Sequence, residues 1–291
     1  MKIGILAAIL IVASLLAYGY SGSPPEGEVE TYKGVWIPPF PLVAKALLFD
    51  AKQLKEDGVN TLSFGPNYPY DEEGNIKPLF PLQKQLYIFF IQTAHRKGFR
   101  VFLVPLTWGP FTKGEPRNKT LFFDQATRMN LEWADIAEKY GVELYAPMNE
   151  PSIAVSDKEA LNKWAHEVTP KIRERYGGIL VYKAAPAEWG FDNDYRGYDY
   201  VGLDIFPGDE ESLEGFRGRV RAHIEKGLEY AKRDGAKGVM FSEIGVQVGE
   251  VPESVSTVKM PHSIEYQTEA YKIFFEEGGK SKRLHLLLLG W

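Results

Sequence analysis

Two glutamates in this chain end apolar runs in the same way, and a pair of carboxylates so placed can do acid–base and nucleophilic chemistry. The first is Glu150, in G-V-E-L-Y-A-P-M-N-E-P-S over residues 141–152. Val142 to Met148 reads as a short buried strand. Pro151 cannot donate a ladder hydrogen bond, so the strand must end there, with Asn149 and Glu150 at its tip. The second is Glu243, in G-V-M-F-S-E-I-G over residues 238–245. Hydrolysis of a glycosidic bond needs such a pair: one carboxyl group protonates the leaving oxygen, and the other attacks or directs water. A separation of ~5–5.5 Å predicts retention of configuration, and ~6.5–9.5 Å predicts inversion.

Strands and helices must then bring the two together. Apolar strand-like runs occupy 34–37, 59–64, 99–106, 142–148, 178–184, 200–206, 238–243 and 284–289. Between them lie segments with helical spacing, at 43–57, 82–96, 123–140, 158–176, 213–233 and 264–277. Continuous rather than alternating apolar strands indicate a parallel sheet covered on both faces. Eight strands with regular crossovers predict a (β/α)₈ barrel, an α/β fold that keeps its chemistry at the C-terminal strand ends. Glu150 then ends the fourth strand and Glu243 the seventh, facing one mouth. The run ends at the eighth strand, so the expected barrel lacks its eighth helix. A doubly wound nucleotide fold is disfavoured, because no G-x-G-x-x-G follows the first strand and no phosphate-loop motif occurs.

Composition narrows the class. The chain has 291 residues, 44% hydrophobic and 25% charged, with a net charge of −5. Nucleic-acid binding would require a basic patch, and none is present. With no cysteine, disulfides and thiolate metal sites are excluded. The five histidines show no metal-ligating spacing, so neither a metal nor another cofactor is expected. Met1-Lys2, the apolar run from Ile3 to Tyr18 and the small residues that follow form an export leader. Residues 1–23 are read as a signal peptide or a membrane anchor held through residues 3–20, residues 24–31 as a linker, and residues 32–291 as the catalytic domain. The expected location is extracellular, or the outer face of the cell membrane.

Asn149-Glu150-Pro151 after strand four, Ser242-Glu243-Ile244-Gly245 after strand seven and Trp291 after strand eight together resemble the clan A retaining glycoside hydrolases. The S-E-I-G step and Y-V-G-L-D-I-F-P are most similar to the β-mannanase and cellulase-type members. That resemblance implies a β-linked polysaccharide or oligosaccharide substrate, with mannan or glucan favoured. It makes Glu150 the acid/base, Glu243 the nucleophile, Asn149 a ligand of the sugar 2-hydroxyl and Trp291 the floor of the cleavage subsite. The sequence departs from the family at three places. Phe206 stands where many members carry a tyrosine that hydrogen-bonds the nucleophile, and Asn67 and Trp108 stand where many carry Arg or His. Aromatic stacking on sugar is expected from Trp36, Trp108, Trp189 and Tyr68. Asp204, two residues before Phe206, is expected to face the barrel interior in a structural hydrogen-bonding role. The sequence also admits a non-catalytic reading, a membrane-tethered carbohydrate-binding protein on a degenerate barrel, favoured by the missing eighth helix and the absent strand-six tyrosine; the structural alternative for Glu243 itself is a buried pair with a lysine.

Overall fold

Side-chain parity along the strands explains the architecture. On the third strand Val101 and Leu103 pack outward in the large core shared with the helices, while Phe102 and Val104 belong to a second, smaller cluster. That cluster also contains Leu144, Ala146, Val181, Tyr200 and Met240, one or two residues from each of several strands. Inward-facing residues from successive strands fill the centre, as a closed parallel barrel requires.

The computed structural model describes residues 32–37, 41–107, 114–186, 193–248, 262–280 and 284–289. Its strands are β1 (Tyr32–Trp36), β2 (Thr61–Phe64), β3 (Arg100–Leu103), β4 (Leu144–Tyr145), β5 (Ile179–Ala184), β6 (Tyr200–Ile205), β7 (Gly238–Ile244) and β8 (Leu284–Leu289). All pair in parallel in sequence order, and β8 pairs with both β7 and β1, closing the barrel. The expected (β/α)₈ fold is therefore present. No helix follows β8 among the described residues. The leader and linker expected at 1–31 lie outside the described residues.

The helices are α1 (Leu42–Lys45), α2 (Ala51–Glu56), α3 (Gln83–Arg96), α4 (Lys119–Lys139), α5 (Pro151–Ala154), α6 (Lys158–Arg173), α7 (Leu213–Asp234) and α8 (Ile264–Gly279). A π-helical turn, Ala46–Asp50, joins α1 to α2. Two boundaries differ from the sequence reading for local reasons. Helix α4 starts four residues earlier than its apolar spacing suggests, because Asn118 accepts a hydrogen bond from the Leu121 N–H at 3.0 Å and caps it. Strand β4 is regular over only two residues. Beyond it Pro147 has no N–H to give, and Asn149 regains the sheet through a single bridge to Lys183.

Helices α7 and α8 are pinned by Glu277, whose side chain is 1% exposed. Its carboxylate accepts from Arg217 at 2.8 Å, Arg221 at 3.0 Å and Lys280 at 2.8 Å. The hydrogen bonds from Arg221, then Lys280 and Arg217, overcome its burial and hold its pKa down at about 2.

One glycine sets how closely β2 and β3 approach at the mouth. A Cβ at Gly65 would lie 1.8 Å from the Val104 carbonyl oxygen, which is backbone and cannot rotate away. Overpacking of this kind costs about 1–3 kcal/mol, and more where backbone must move. We expect Gly65→Ala to destabilise the fold by at least about 3 kcal/mol. A urea midpoint within error of the wild type would contradict that packing.

Candidate active site

Glu150 sits where the backbone is strained. Its φ is 43° and its ψ 63°, a left-handed conformation uncommon outside glycine. Pro151 disfavours the right-handed helical conformation for the residue before it. The peptide is held by two bonds: the Glu150 N–H donates to the Lys183 carbonyl at 3.1 Å, and the Ile153 N–H donates back to the Glu150 carbonyl at 2.9 Å. Strain of this sort costs about 1–3 kcal/mol and persists where surrounding structure enforces it, often at functional sites. Glu150 occupies the N-cap position of α5, yet its side chain makes no capping bond. Instead its Oε2 accepts from Asn149 Nδ2 at 3.2 Å, and the residue is 7% exposed. A simple helix cap therefore does not account for this glutamate.

Glu243 is aimed by a bulge. Counting alternately along β7 from Met240, which faces the barrel centre, puts Ser242 inward and Glu243 outward. The pairing with β6 slips at this point: Leu203 partners Phe241, but Asp204 partners Glu243. The extra residue is Ser242, and a bulge of this kind re-aims the side chain that follows it. Ser242 and Glu243 consequently both reach inward-facing groups. Gly202 makes room, since a Cβ there would lie 2.5 Å from Ser242 Oγ.

At the centre stands Lys183, on β5 two residues beyond the inward-facing Val181. Its side chain is fully buried. Its ammonium pairs with the Asp204 carboxylate and donates to Glu243 Oε2 at 2.7 Å. Asp204 also accepts from Ser242 Oγ at 2.6 Å. Burial opposes the charge on Lys183, but the carboxylates of Asp204, Glu243 and Glu150 outweigh it and hold the pKa well above the usual lysine value. Burial likewise pushes the Asp204 carboxyl upward, with Lys183 pulling against it. One ammonium faces two carboxylates in this buried set, so the excess negative charge is felt most by Asp204, which is fully enclosed. Glu243 keeps 14% of its side chain exposed, so it is the member of the set that solvent can reach.

The structure thus ties Asn149, Glu150 and Glu243 to one place. Lys183 links them, by its carbonyl to the Glu150 peptide and by its ammonium to the Glu243 carboxylate. The expected inward, hydrogen-bonding Asp204 is there as well. Lys183 itself was legible as the one charge in the apolar strand G-I-L-V-Y-K-A, but its pairing depends on register that spacing does not reveal.

The other expected site residues are more varied. Trp36 ends β1 in register with Ser63 of β2. Trp36 Nε1, Ser63 Oγ, Asn67 Oδ1 and Thr107 Oγ1 are buried and have no hydrogen-bond partner among the described residues. All four lie at or just beyond the C-terminal ends of β1, β2 and β3. Tyr68, by contrast, is a core residue: it is 7% exposed and its hydroxyl accepts from Trp133 Nε1 at 2.9 Å. Stacking on a sugar face is not available to a ring packed in that way, and the loop that carries it turns inward to cover α4. Phe206 lies just past β6, its carbonyl accepting from Arg219 at 2.7 Å. A phenyl ring has no hydroxyl to give Glu243, and Lys183 supplies that hydrogen bond from the neighbouring strand. Trp108, Trp189 and Trp291 lie outside the described residues. Among the described residues no group of acidic or histidine side chains is placed to hold a metal ion.

No protein-family model matches the sequence, and no curated protein matches it. Solved structures do match. A GH113 β-mannanase, AaManA from Alicyclobacillus acidocaldarius, solved in complex with ManMIm, superposes with a TM-score of 0.68 at 15% identity, covering 91% of this chain and 87% of that one. A fungal β-1,4-galactanase superposes at 0.58 with 14% identity, covering 89% and 88%. The β-glucuronidase of Ruminococcus gnavus superposes at 0.64 with 16% identity, covering 90% of this chain but 43% of that longer one. At such identities the likeness is one of fold: the chain has the (β/α)₈ barrel found in these clan A glycoside hydrolases.

Proposed function

We propose that the protein is a retaining β-glycoside hydrolase that cleaves a β-linked polysaccharide or oligosaccharide by double displacement. Glu150 is its acid/base and Glu243 its nucleophile. One observation carries the reading: Lys183 joins the two glutamates, 3.1 Å from its carbonyl to the Glu150 N–H and 2.7 Å from its ammonium to Glu243 Oε2. The ammonium holds one oxygen of Glu243 and leaves the other for a substrate. Glu150 Oε2 accepts from Asn149 Nδ2 at 3.2 Å, and the carboxylate also faces the Lys183 ammonium. Two carboxyl groups in unlike surroundings can divide the acid and nucleophile roles.

The sequence resemblance favours mannan or glucan, acted on as a chain, and the mannanase likeness agrees with the first of these. The apolar leader of residues 3–20 would carry the enzyme out of the cell or tether it there.

Glu150→Gln is the test of the acid role. It should lower kcat about 10²–10⁴-fold on mannan or glucan, whose leaving group needs a proton. On 2,4-dinitrophenyl β-glycosides, whose leaving group needs none, the first step should stay near the wild-type rate. Equal losses on both substrates would remove Glu150 from the role.

A second reading has one observation in its favour. Glu243 is held in an ion pair with a buried lysine, as in a structural pair, and the protein would then bind carbohydrate without cutting it. Binding of mannan or glucan oligosaccharides with no turnover, unchanged in Glu150→Gln, would establish it.

A further inference from the structure

A buried ammonium between two carboxylates has a consequence for the covalent half of the reaction. We propose that Lys183, itself held by Asp204, is the positioning residue that orients Glu243 for attack and stays charge-balanced when Glu243 becomes an ester. The proposal rests on the reading of Glu243 as nucleophile.

Three features converge on it. Lys183 Nζ holds Glu243 Oε2 at 2.7 Å, which leaves Oε1 to meet the anomeric carbon. The lysine cannot wander, because its side chain is fully buried and its backbone is fixed between Asn149 on one side and Gly202 on the other. Asp204 is fixed in turn by Ser242 Oγ at 2.6 Å, so the bulge that turns Glu243 inward also locks its neighbour onto the same network.

The charge balance explains why two carboxylates share one ammonium. In the first step the bond between the anomeric carbon and the leaving oxygen breaks, and that oxygen takes the proton of Glu150. Glu243 Oε1 forms a new bond to the anomeric carbon and loses its negative charge. A lysine paired to Glu243 alone would then be a buried cation without a partner, which is strongly unfavourable. Asp204 keeps it neutralised through the intermediate. In the second step water, deprotonated by Glu150, displaces the ester and Glu243 regains its charge. The groups facing Lys183 are Asp204 from β6, Glu243 from β7 and Glu150 from the end of β4.

The experiment uses the full-length wild type and the double variant K183M/D204N, in which both buried charges are replaced by neutral groups of similar size. Each is inactivated with the 2,4-dinitrophenyl 2-deoxy-2-fluoro-β-mannoside and β-glucoside, and the limiting rate of labelling is separated from half-saturation. A nucleophile misplaced by about 1 Å can lose ~100-fold in rate, so labelling should slow by ~100-fold while half-saturation stays within ~3-fold. Crystal structures of both proteins should show the Glu243 carboxylate displaced by about 1 Å or more in the variant. A folded variant that labels within ~3-fold of the wild type, or whose loss lies wholly in half-saturation, overturns the proposal. So does an unmoved Glu243 carboxylate. If the wild type is neither labelled nor active on any glycoside, the hydrolase reading fails, and the crystal comparison still decides whether Lys183 positions Glu243.

Discussion

Glu243→Ala lowers kcat by about 10⁵-fold or more on any substrate the protein hydrolyses, the largest effect expected of a single change here. The barrel itself should persist. Glu243 is partly exposed, and its removal leaves Lys183 still paired with Asp204. The loss therefore belongs to chemistry and should leave thermal stability nearly unchanged. Added azide provides a stricter check. The truncated side chain leaves space beside the anomeric carbon on the face Glu243 attacks from, and a small anion entering there displaces an activated leaving group once. The product is then an α-glycosyl azide, of inverted configuration. A residual rate above about one-hundredth of wild type, or no azide product from a dinitrophenyl glycoside, would argue against Glu243 as nucleophile.

Asp204→Ala is expected to act on stability rather than on chemistry alone. Both ends of the Lys183–Asp204 pair are fully buried, and breaking such a pair from one side costs about 3–5 kcal/mol. Glu243 remains as a partner for the ammonium, so the lower end, about 3 kcal/mol, is expected. Ser242 Oγ also loses its acceptor. Urea denaturation should show a lower midpoint with an unchanged slope. K183M/D204N should recover most of the loss, since neutral groups of similar volume often replace a buried ion pair at little cost. A loss below about 1 kcal/mol for Asp204→Ala would mean that water or an anion reaches the Lys183 ammonium.

Much of this was legible in the sequence, for reasons that can be named. The barrel followed from apolar strands bounded by proline and glycine and from helices at regular spacing. The place of Glu150 followed from Pro151, which ends the strand wherever the fold sets it. Glu243 was found as the end of an apolar run, but its direction was not. Strand parity alone would turn it outward, and only the Ser242 bulge against β6 brings it in. Lys183 was visible as a lone charge in an apolar strand, while its two partners lie on other strands and meet it through register. Tyr68 went the other way: a loop aromatic is equally suited to a sugar face or to a core, and the length of the loop before α3 lets it fold back onto Trp133. The start of α4 was missed because Asn118 stood inside a polar stretch, where a cap and an ordinary loop residue look alike.

The hydrolase reading stands or falls most directly on the stereochemistry of the first product. Wild-type protein should be given mannan, glucan and galactan oligosaccharides and aryl β-glycosides, and the new reducing end followed by proton NMR before it mutarotates. Two displacements through a Glu243 ester predict the β-anomer first. An α-anomer first, or no cleavage of any member of the panel, would contradict the account.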